Sequence, residues 1–263
     1  MAGGLKFDEQ AARRIEAVYL TLDVVAQRCE TLKALELSEG EQVLDIGSGP
    51  GLLSYDLAAT VGPQGRVCGV DLSPDMVSMA RKRCAQQPWV EFAQADATEL
   101  PYPENSFDAA VSTQVYEYVA DIQRALAALI RVLRPGARAV IVDTDYATLA
   151  IHTEHPERME RVLAAWDEHF AHRSLPQTLS ALLRDAGFTI RQRTTIPMFN
   201  PEYHLNTFSR GMVGIITEFV SDRNGVTAEE AAAWAAEFAD LAARGRYFFS
   251  LNRYLFVAEK PHA

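Results

Sequence analysis

Three glycines at alternate positions, Gly47, Gly49 and Gly51, follow an apolar run ending on an acid in Val43-Leu44-Asp45-Ile46-Gly47-Ser48-Gly49-Pro50-Gly51-Leu52. A glycine has no Cβ, so such a turn takes unusual dihedrals and lets a ligand lie against the backbone. The run before it reads as a buried strand, Gln42 to Ile46, and a helix begins near Gly51; that context gives the glycine pattern its meaning. A dinucleotide fingerprint needs a third small residue where this chain has Leu52. Asp45 also puts a carboxylate at the loop mouth, where it would repel a pyrophosphate and hold an ammonium. The loop therefore favours a cationic, amino-acid-like ligand. Asp71, at the tip of the next strand, is placed to accept hydrogen bonds from ribose hydroxyls, in a dinucleotide or in an adenosyl group alike. Leu72 and Met76 are placed to flank an adenine, and Met76 reads equally well as core.

At these residues the chain resembles the class I S-adenosylmethionine-dependent methyltransferases, whose first motif reads much like VLDIGSGPG. The resemblance covers residues 40–145 well and the two final strands loosely. It implies S-adenosylmethionine as cofactor, cradled by Gly47, Ser48, Gly49 and Gly51. It also implies that Asp96 holds the adenine amino group and the Ala97 amide meets a ring nitrogen; the other reading of Asp96 is a turn cap. Backbone at Thr113 and Gln114 would pass beside the methionine end. An N-terminal helix would close over the ligand and bring Tyr19 and Arg28 to the cofactor carboxylate or the substrate, against readings of Tyr19 as core and Arg28 as a surface charge. Enzymes of this family that methylate base amines typically carry N/D-P-P-Y/F after the fourth strand. This chain has Thr113-Gln114-Val115-Tyr116-Glu117-Tyr118, which is similar instead to the quinone and natural-product methyltransferases. Glu117 reads as a charge at a helix start, where acids are favoured, with a polar group near the site as the other reading.

Methyl transfer from a sulfonium asks the protein mainly to align the reactants and exclude water. A general base is needed only when the nucleophile is a neutral hydroxyl or a protonated amine. The candidate catalytic residues are His152, Asp145 and Tyr19. Asp145 would suit a cationic amine and His152 a phenol or an acidic carbon, so N, O and C acceptors all stay open. Two alternatives stand beside the methyltransferase reading: a nicotinamide-dependent oxidoreductase, which Leu52 and Asp45 oppose, and a non-catalytic S-adenosylmethionine-binding protein. The pair His152 and His155 with Glu154 lacks a third ligand at metal spacing and is not read as a metal site.

The elements that must position these residues alternate strand and helix, with apolar strands that lack polar alternation. That pattern predicts an α/β, Rossmann-like, doubly wound seven-stranded sheet, mostly parallel with an antiparallel last strand. An N-terminal helical cap (1–39), a core (40–199 and 246–263) and a helical lid insertion (200–245) are expected. Residues 8–35 read as one helix or two, with Ile15, Val18, Tyr19, Leu22, Val25 and Cys29 on its apolar stripe. The fifth strand is expected over 137–142. Strand tips then bring Ser48, Asp71, Asp96, Gln114 and Asp145 to one crevice. With 25 basic and 35 acidic residues, net charge −10, a broad polyanion-binding face is disfavoured. The expected partner is a small-molecule substrate, with no nucleic acid and no membrane, and a homodimer is the assembly considered. Cys29, Cys68 and Cys84 lack C-x-x-C spacing and read as buried thiols. No run approaches the ~18 apolar residues of a membrane span, and Met1 to Lys6 shows no leader pattern. A cytoplasmic protein is expected.

Overall fold

Val43, Leu44 and Ile46 are buried without polar alternation because strand β1 (Gln42–Ile46) lies mid-sheet, covered on both faces. The computed structural model describes residues 9–262, with side chains from Arg14 onward; Met1 to Lys6 lie outside the described residues. In chain order the elements are α1 (Glu9–Tyr19), α2 (Leu22–Leu35), β1, α3 (Leu52–Val61), β2 (Arg66–Asp71), α4 (Pro74–Arg83), β3 (Val90–Gln94) and β4 (Phe107–Thr113). A short 3-10 turn (Tyr116–Tyr118) follows, then α5 (Ile122–Val132), β5 (Leu133–Ile151), α6 (Pro156–Asp167), α7 (Pro176–Asp185), β6 (Thr189–Asn200), α8 (Phe208–Val220), α9 (Ala228–Ala243) and β7 (Phe249–Glu259).

The sheet order is β3-β2-β1-β4-β5-β7-β6. Neighbouring pairs from β3 to β5 are parallel, and β7 runs antiparallel to both β5 and β6. Side chains alternate across β1. Val43 packs with Leu35 of α2 and Leu57 of α3, whereas Leu44 and Ile46 pack with Leu126 of α5 and Leu179 of α7. The edge strand β6 keeps Arg191, Gln192 and Arg193 in solvent, a composition that discourages further pairing. Pro197 is tolerated there for the same reason.

Two expectations change. The apolar stripe of residues 8–35 holds through Ile15 and Val18, then breaks at Leu20 and Thr21. The second helix restarts in another phase and buries Val24, Gln27, Thr31 and Leu35, leaving Leu22 and Cys29 exposed. The fifth strand, expected to end at Val142, continues to Ile151. Its pairing with β4 stops at Val142, and its pairing with β7 goes on to Ile151↔Phe249 past an irregularity between Asp145 and Ala150. The overhanging half of β5, β6 and β7 keeps its hydrogen bonds by pairing within itself, so nothing forces a turn at the sheet's tip. Its apolar side chains (Tyr146, Met198, Phe249, Leu251) are covered by α6, α8 and α9 through Trp166, Ile216 and Trp234, with Val18 and Val24 from α1 and α2 in the same cluster. The helices between β6 and β7 thus share one core with α6 and the N-terminal pair. Among the described residues no helix is long and apolar enough to cross a membrane.

Candidate functional site

The glycine loop is held by β2: the N–H groups of Gly47 and Ser48 both donate to Val70 O, at 2.8 and 2.9 Å. All three glycines have positive φ. A Cβ on Gly47 would lie 2.1 Å from Val115 Cγ2, and one on Gly51 2.9 Å from Ala80 Cα, so these two let the loop pack against the β4 turn and α4. Gly49 differs. Among the described residues the nearest atom to its Cβ position is Tyr19 Cε2 at 3.8 Å, so this residue opens to the space a ligand would take.

Asp71 is tied to that loop. One carboxylate oxygen accepts from Gly49 N–H at 2.9 Å and the other from Ser73 N–H at 2.8 Å. Burial raises its pKa against those two amides. Each oxygen retains a lone pair, so ribose hydroxyls remain within its capacity. Asp45 does not stand at the loop mouth as expected. It is buried beneath the loop on the α3 side, with its Oδ2 accepting from Ser54 Oγ at 2.5 Å. Burial pushes its pKa up to about 7, countered by Ser54 and reinforced by Asp71. The charge expected to meet an ammonium directly is therefore a half-protonated group one layer down.

Asp96 is exposed at the tip of β3, where Oδ1 accepts from Thr98 N–H at 2.8 Å; Ala97 beside it is buried. Leu72 is 68% exposed at the lip between β2 and α4. Met76 takes the core reading and packs against Ile15 of α1, because the first turn of α4 points under the N-terminal helix.

Tyr19, Gln27, Arg28, Ser48, Gly49, Thr113 and Gln114 line an enclosed recess of ≈ 70 Å³. That is well below the roughly 300–1,000 Å³ of a typical small-molecule pocket, so an adenosyl group would lie along the open tips of β2 and β3. Ser48 Oγ is buried in its wall without a partner among the described residues. Gln114 sits at φ +57°, an uncommon conformation for a residue with a Cβ, and its side-chain amide donates to Thr144 Oγ1. Arg28 bonds Asp56 at 2.9 Å and Tyr19 O at 3.3 Å, which fixes α2 against α3 and the turn after α1. A larger cavity, ≈ 650 Å³, lies elsewhere, between the starts of α6 and α9; Arg161 and Glu230 in its wall already pair.

Of the three catalytic candidates, Tyr19 reaches the recess and the other two do not. Asp145 faces α7: Oδ1 accepts from Ala147 N–H at 3.0 Å and Oδ2 from Gln177 Nε2 at 2.9 Å, so its carboxylate shapes the irregularity in β5. His152 is carried past the sheet tips by the long strand; its N–H donates to Phe248 O at 3.1 Å, and Glu154 lies beside it. Behind the recess wall are polar residues that sequence reasoning missed or misread. Gln27 is a polar residue on the buried face of α2, and Arg253 of β7 donates to it. Glu117, read as a helix-start charge, is fully buried, as is Asp143. An acid between Tyr116 and Tyr118, and an acid directly after the four apolar residues Ala139 to Val142 of β5, were the available signals.

A family profile described as "Methyltransferase domain" matches residues 44–141. The 2-phytyl-1,4-naphtoquinone methyltransferase of Thermosynechococcus vestitus is 32% identical over 168 residues, which cover 59% of this chain and 75% of that protein. The chain belongs to the class I S-adenosylmethionine-dependent methyltransferases. An uncharacterized 37.1 kDa protein in transposon TN4556 of Streptomyces fradiae is 38% identical over 172 residues, 64% of this methyltransferase and 48% of that protein. The chain spans about half the length of the first curated relatives it matches. Phosphoethanolamine N-methyltransferase 2 of Haemonchus contortus, solved with S-adenosyl-L-methionine, shares the fold with a TM-score of 0.64 at 19% identity, over 97% of this chain and 58% of that one. The site has what this family's donor requires: a backbone face at Gly49 that a Cβ would fill, an unpartnered Ser48 hydroxyl, and Asp71 with lone pairs to spare.

Proposed function

We propose that this methyltransferase moves a methyl group from S-adenosylmethionine to an N, O or C nucleophile of a small metabolite. The observation that carries the reading is the open face of Gly49, bounded by Tyr19 above and tied to Asp71 at the side. The donor supplies an activated methyl on a sulfonium. Asp71 takes the ribose hydroxyls, Asp96 and the Ala97 amide take the adenine, and Leu72 covers its face. The loop from Gly47 to Gly51, with Thr113, Gln114, Tyr19 and Arg28, holds the methionine end. Tyr19 and the turn after α1 move outward to admit the donor and return to exclude water, since the recess is small without that movement. The N-terminal helices and the insertion over 200–245 act as cap and lid.

The relatives named for quinones support a planar acceptor, and Tyr118, Phe170 and Tyr146 form an aromatic group, the Tyr118 and Tyr146 ring centroids lying 5.6 and 4.2 Å from that of Phe170. The protein works in the cytoplasm on a small molecule, as a homodimer and without nucleic acid. Calorimetric titration tests the reading: S-adenosylhomocysteine should bind and NAD should not, and labelled methyl should pass from donor into a metabolite extract. Binding of NAD alone would overturn it, and donor binding without any transfer would leave a sensor in place of an enzyme.

A further inference from the structure

Behind the recess lies a polar layer that the donor reading leaves without a task. Glu117 is fully buried; Oε2 accepts from Thr144 N–H at 2.9 Å, and Oε1 has no partner among the described residues. Asp143 is fully buried beside it, with one oxygen accepting from Val115 N–H at 3.2 Å and the other unpartnered among the described residues. Arg253 of β7 is the cation that faces them. It donates to Gln27, its guanidinium lies 4.6 Å from the Phe208 ring centroid, and its Nε is unpartnered among the described residues. Two acids and one base out of water cannot all be charged without leaving one charge uncompensated.

The titratable and charged groups around Glu117 are Tyr118 from its own turn, Asp143 and Tyr146 from β5, Arg253 from β7, Tyr19 from α1, and His169 and His172 from the segment after α6, whose Ala171 and His172 amides donate to Glu117 O. Burial and the neighbouring Glu117 push Asp143 well up, which favours its protonated form. Burial pushes Glu117 up to about 7, against the pull of Thr144 and Arg253. Thr144 joins this layer to the recess, because its amide holds Glu117 while its hydroxyl takes the side chain of Gln114 in the recess wall. Burial raises the phenol pKa of Tyr19, on the other wall, and Asp71 and Glu117 are close enough to add to that rise against Arg253.

We infer that Glu117 is the proton acceptor of the site, switched by the donor's charge: ionised while a sulfonium fills the recess, protonated once the methyl has left. The inference rests on the methyl-transfer reading above. A nearby cation favours a carboxylate, and its disappearance favours the acid. For a hydroxyl acceptor the step balances. The acceptor oxygen bonds the methyl carbon, the carbon–sulfur bond breaks with its electron pair staying on sulfur, and the hydroxyl proton, relayed by a water across the recess wall, ends on Glu117 Oε1. The substrate class is then one that must shed a proton, a hydroxyl on a planar ring in preference to a free amine.

Calorimetry of the full chain, in two buffers of unlike ionisation enthalpy, counts the protons exchanged on binding S-adenosylmethionine and S-adenosylhomocysteine. The wild-type protein should release up to about half a proton more with S-adenosylmethionine near pH 7, where Glu117 is half protonated. E117Q should bind both ligands and lose that excess; the ligands' own amino groups titrate alike in both proteins and cancel. Equal proton counts for the two ligands in the wild type, or an excess that survives in E117Q, overturns the assignment while the methyltransferase reading stands. If neither ligand binds the wild type, both readings fall together. Should E117Q not fold, infrared difference spectra of the wild type decide. Exchanging S-adenosylmethionine for S-adenosylhomocysteine must raise the band of a protonated carboxyl, and its absence refutes the role.

Discussion

Gly47→Ala and Gly49→Ala add the same methyl to the same loop two residues apart, and the two variants should fail in different ways. At Gly47, φ is +68° and the new Cβ would lie 2.1 Å from Val115 Cγ2. The left-handed backbone costs an alanine about 1–2 kcal/mol. Forcing a methyl against a β-branched side chain in a packed contact adds roughly 1–3 kcal/mol. The total, about 2–5 kcal/mol, is a large part of the ~5–15 kcal/mol of a typical domain and corresponds to roughly 4–20 °C in Tm. At Gly49, φ is +51° and the nearest described atom is 3.8 Å away, so the backbone cost applies and the clash does not. G49A should therefore lose only about 1–2 kcal/mol of stability. Its methyl would stand where the donor meets the backbone, and S-adenosylhomocysteine affinity should fall at least about tenfold, or ~1.4 kcal/mol. Thermal denaturation and calorimetric titration of both variants measure the two effects. The reasoning is refuted if G49A binds like the wild type, or if it loses as much stability as G47A.

Three further outcomes follow from the site. Asp45 has its pKa raised from 3.8 to about 7 in the folded protein, so the native state binds the extra proton between those values and stability falls as pH rises through that window. D45N should then gain on the wild type in urea denaturation near pH 8 relative to about pH 4, and an unchanged difference at both pH values would contradict the shift. Asp71→Ala should weaken S-adenosylhomocysteine binding by about 1–3 kcal/mol by removing charged hydrogen bonds; an unaltered titration would show the ribose misplaced. His152→Ala should leave donor binding and methyl transfer within about twofold of wild type, as expected for a half-buried position away from the recess and free of any of the usual large-effect mechanisms, and a loss beyond tenfold would return it to the site.

The strands and their order were legible because β1, β2 and β4 are buried almost throughout and separated by strong punctuation, such as Ser73-Pro74 at the start of α4 and Arg134-Pro135-Gly136 after α5. The cradle was legible because glycine spacing reports backbone geometry directly. The far side of the site was not. The overhang of β5 is held by pairing to β7, more than a hundred residues away, and its own Thr144, Asp145 and Thr148 read as the end of a strand. That error placed Asp145 and His152 at a tip that does not exist. Gln27 reads as a surface residue, and Glu117 more readily as a helix-start charge, because polarity reads as exposure in a lone sequence. What keeps them inside is Arg253 and the Thr144 amide, neighbours that only the fold supplies.

The most direct measurement is a crystal structure of the protein with S-adenosylhomocysteine. The account requires the homocysteine end against Gly49 and Tyr19, the ribose on Asp71 and the adenine beside Asp96. A ligand seated between α6 and α9 with the glycine loop bare, or one that leaves Gly49 and Asp96 on opposite sides of an empty crevice, would contradict it.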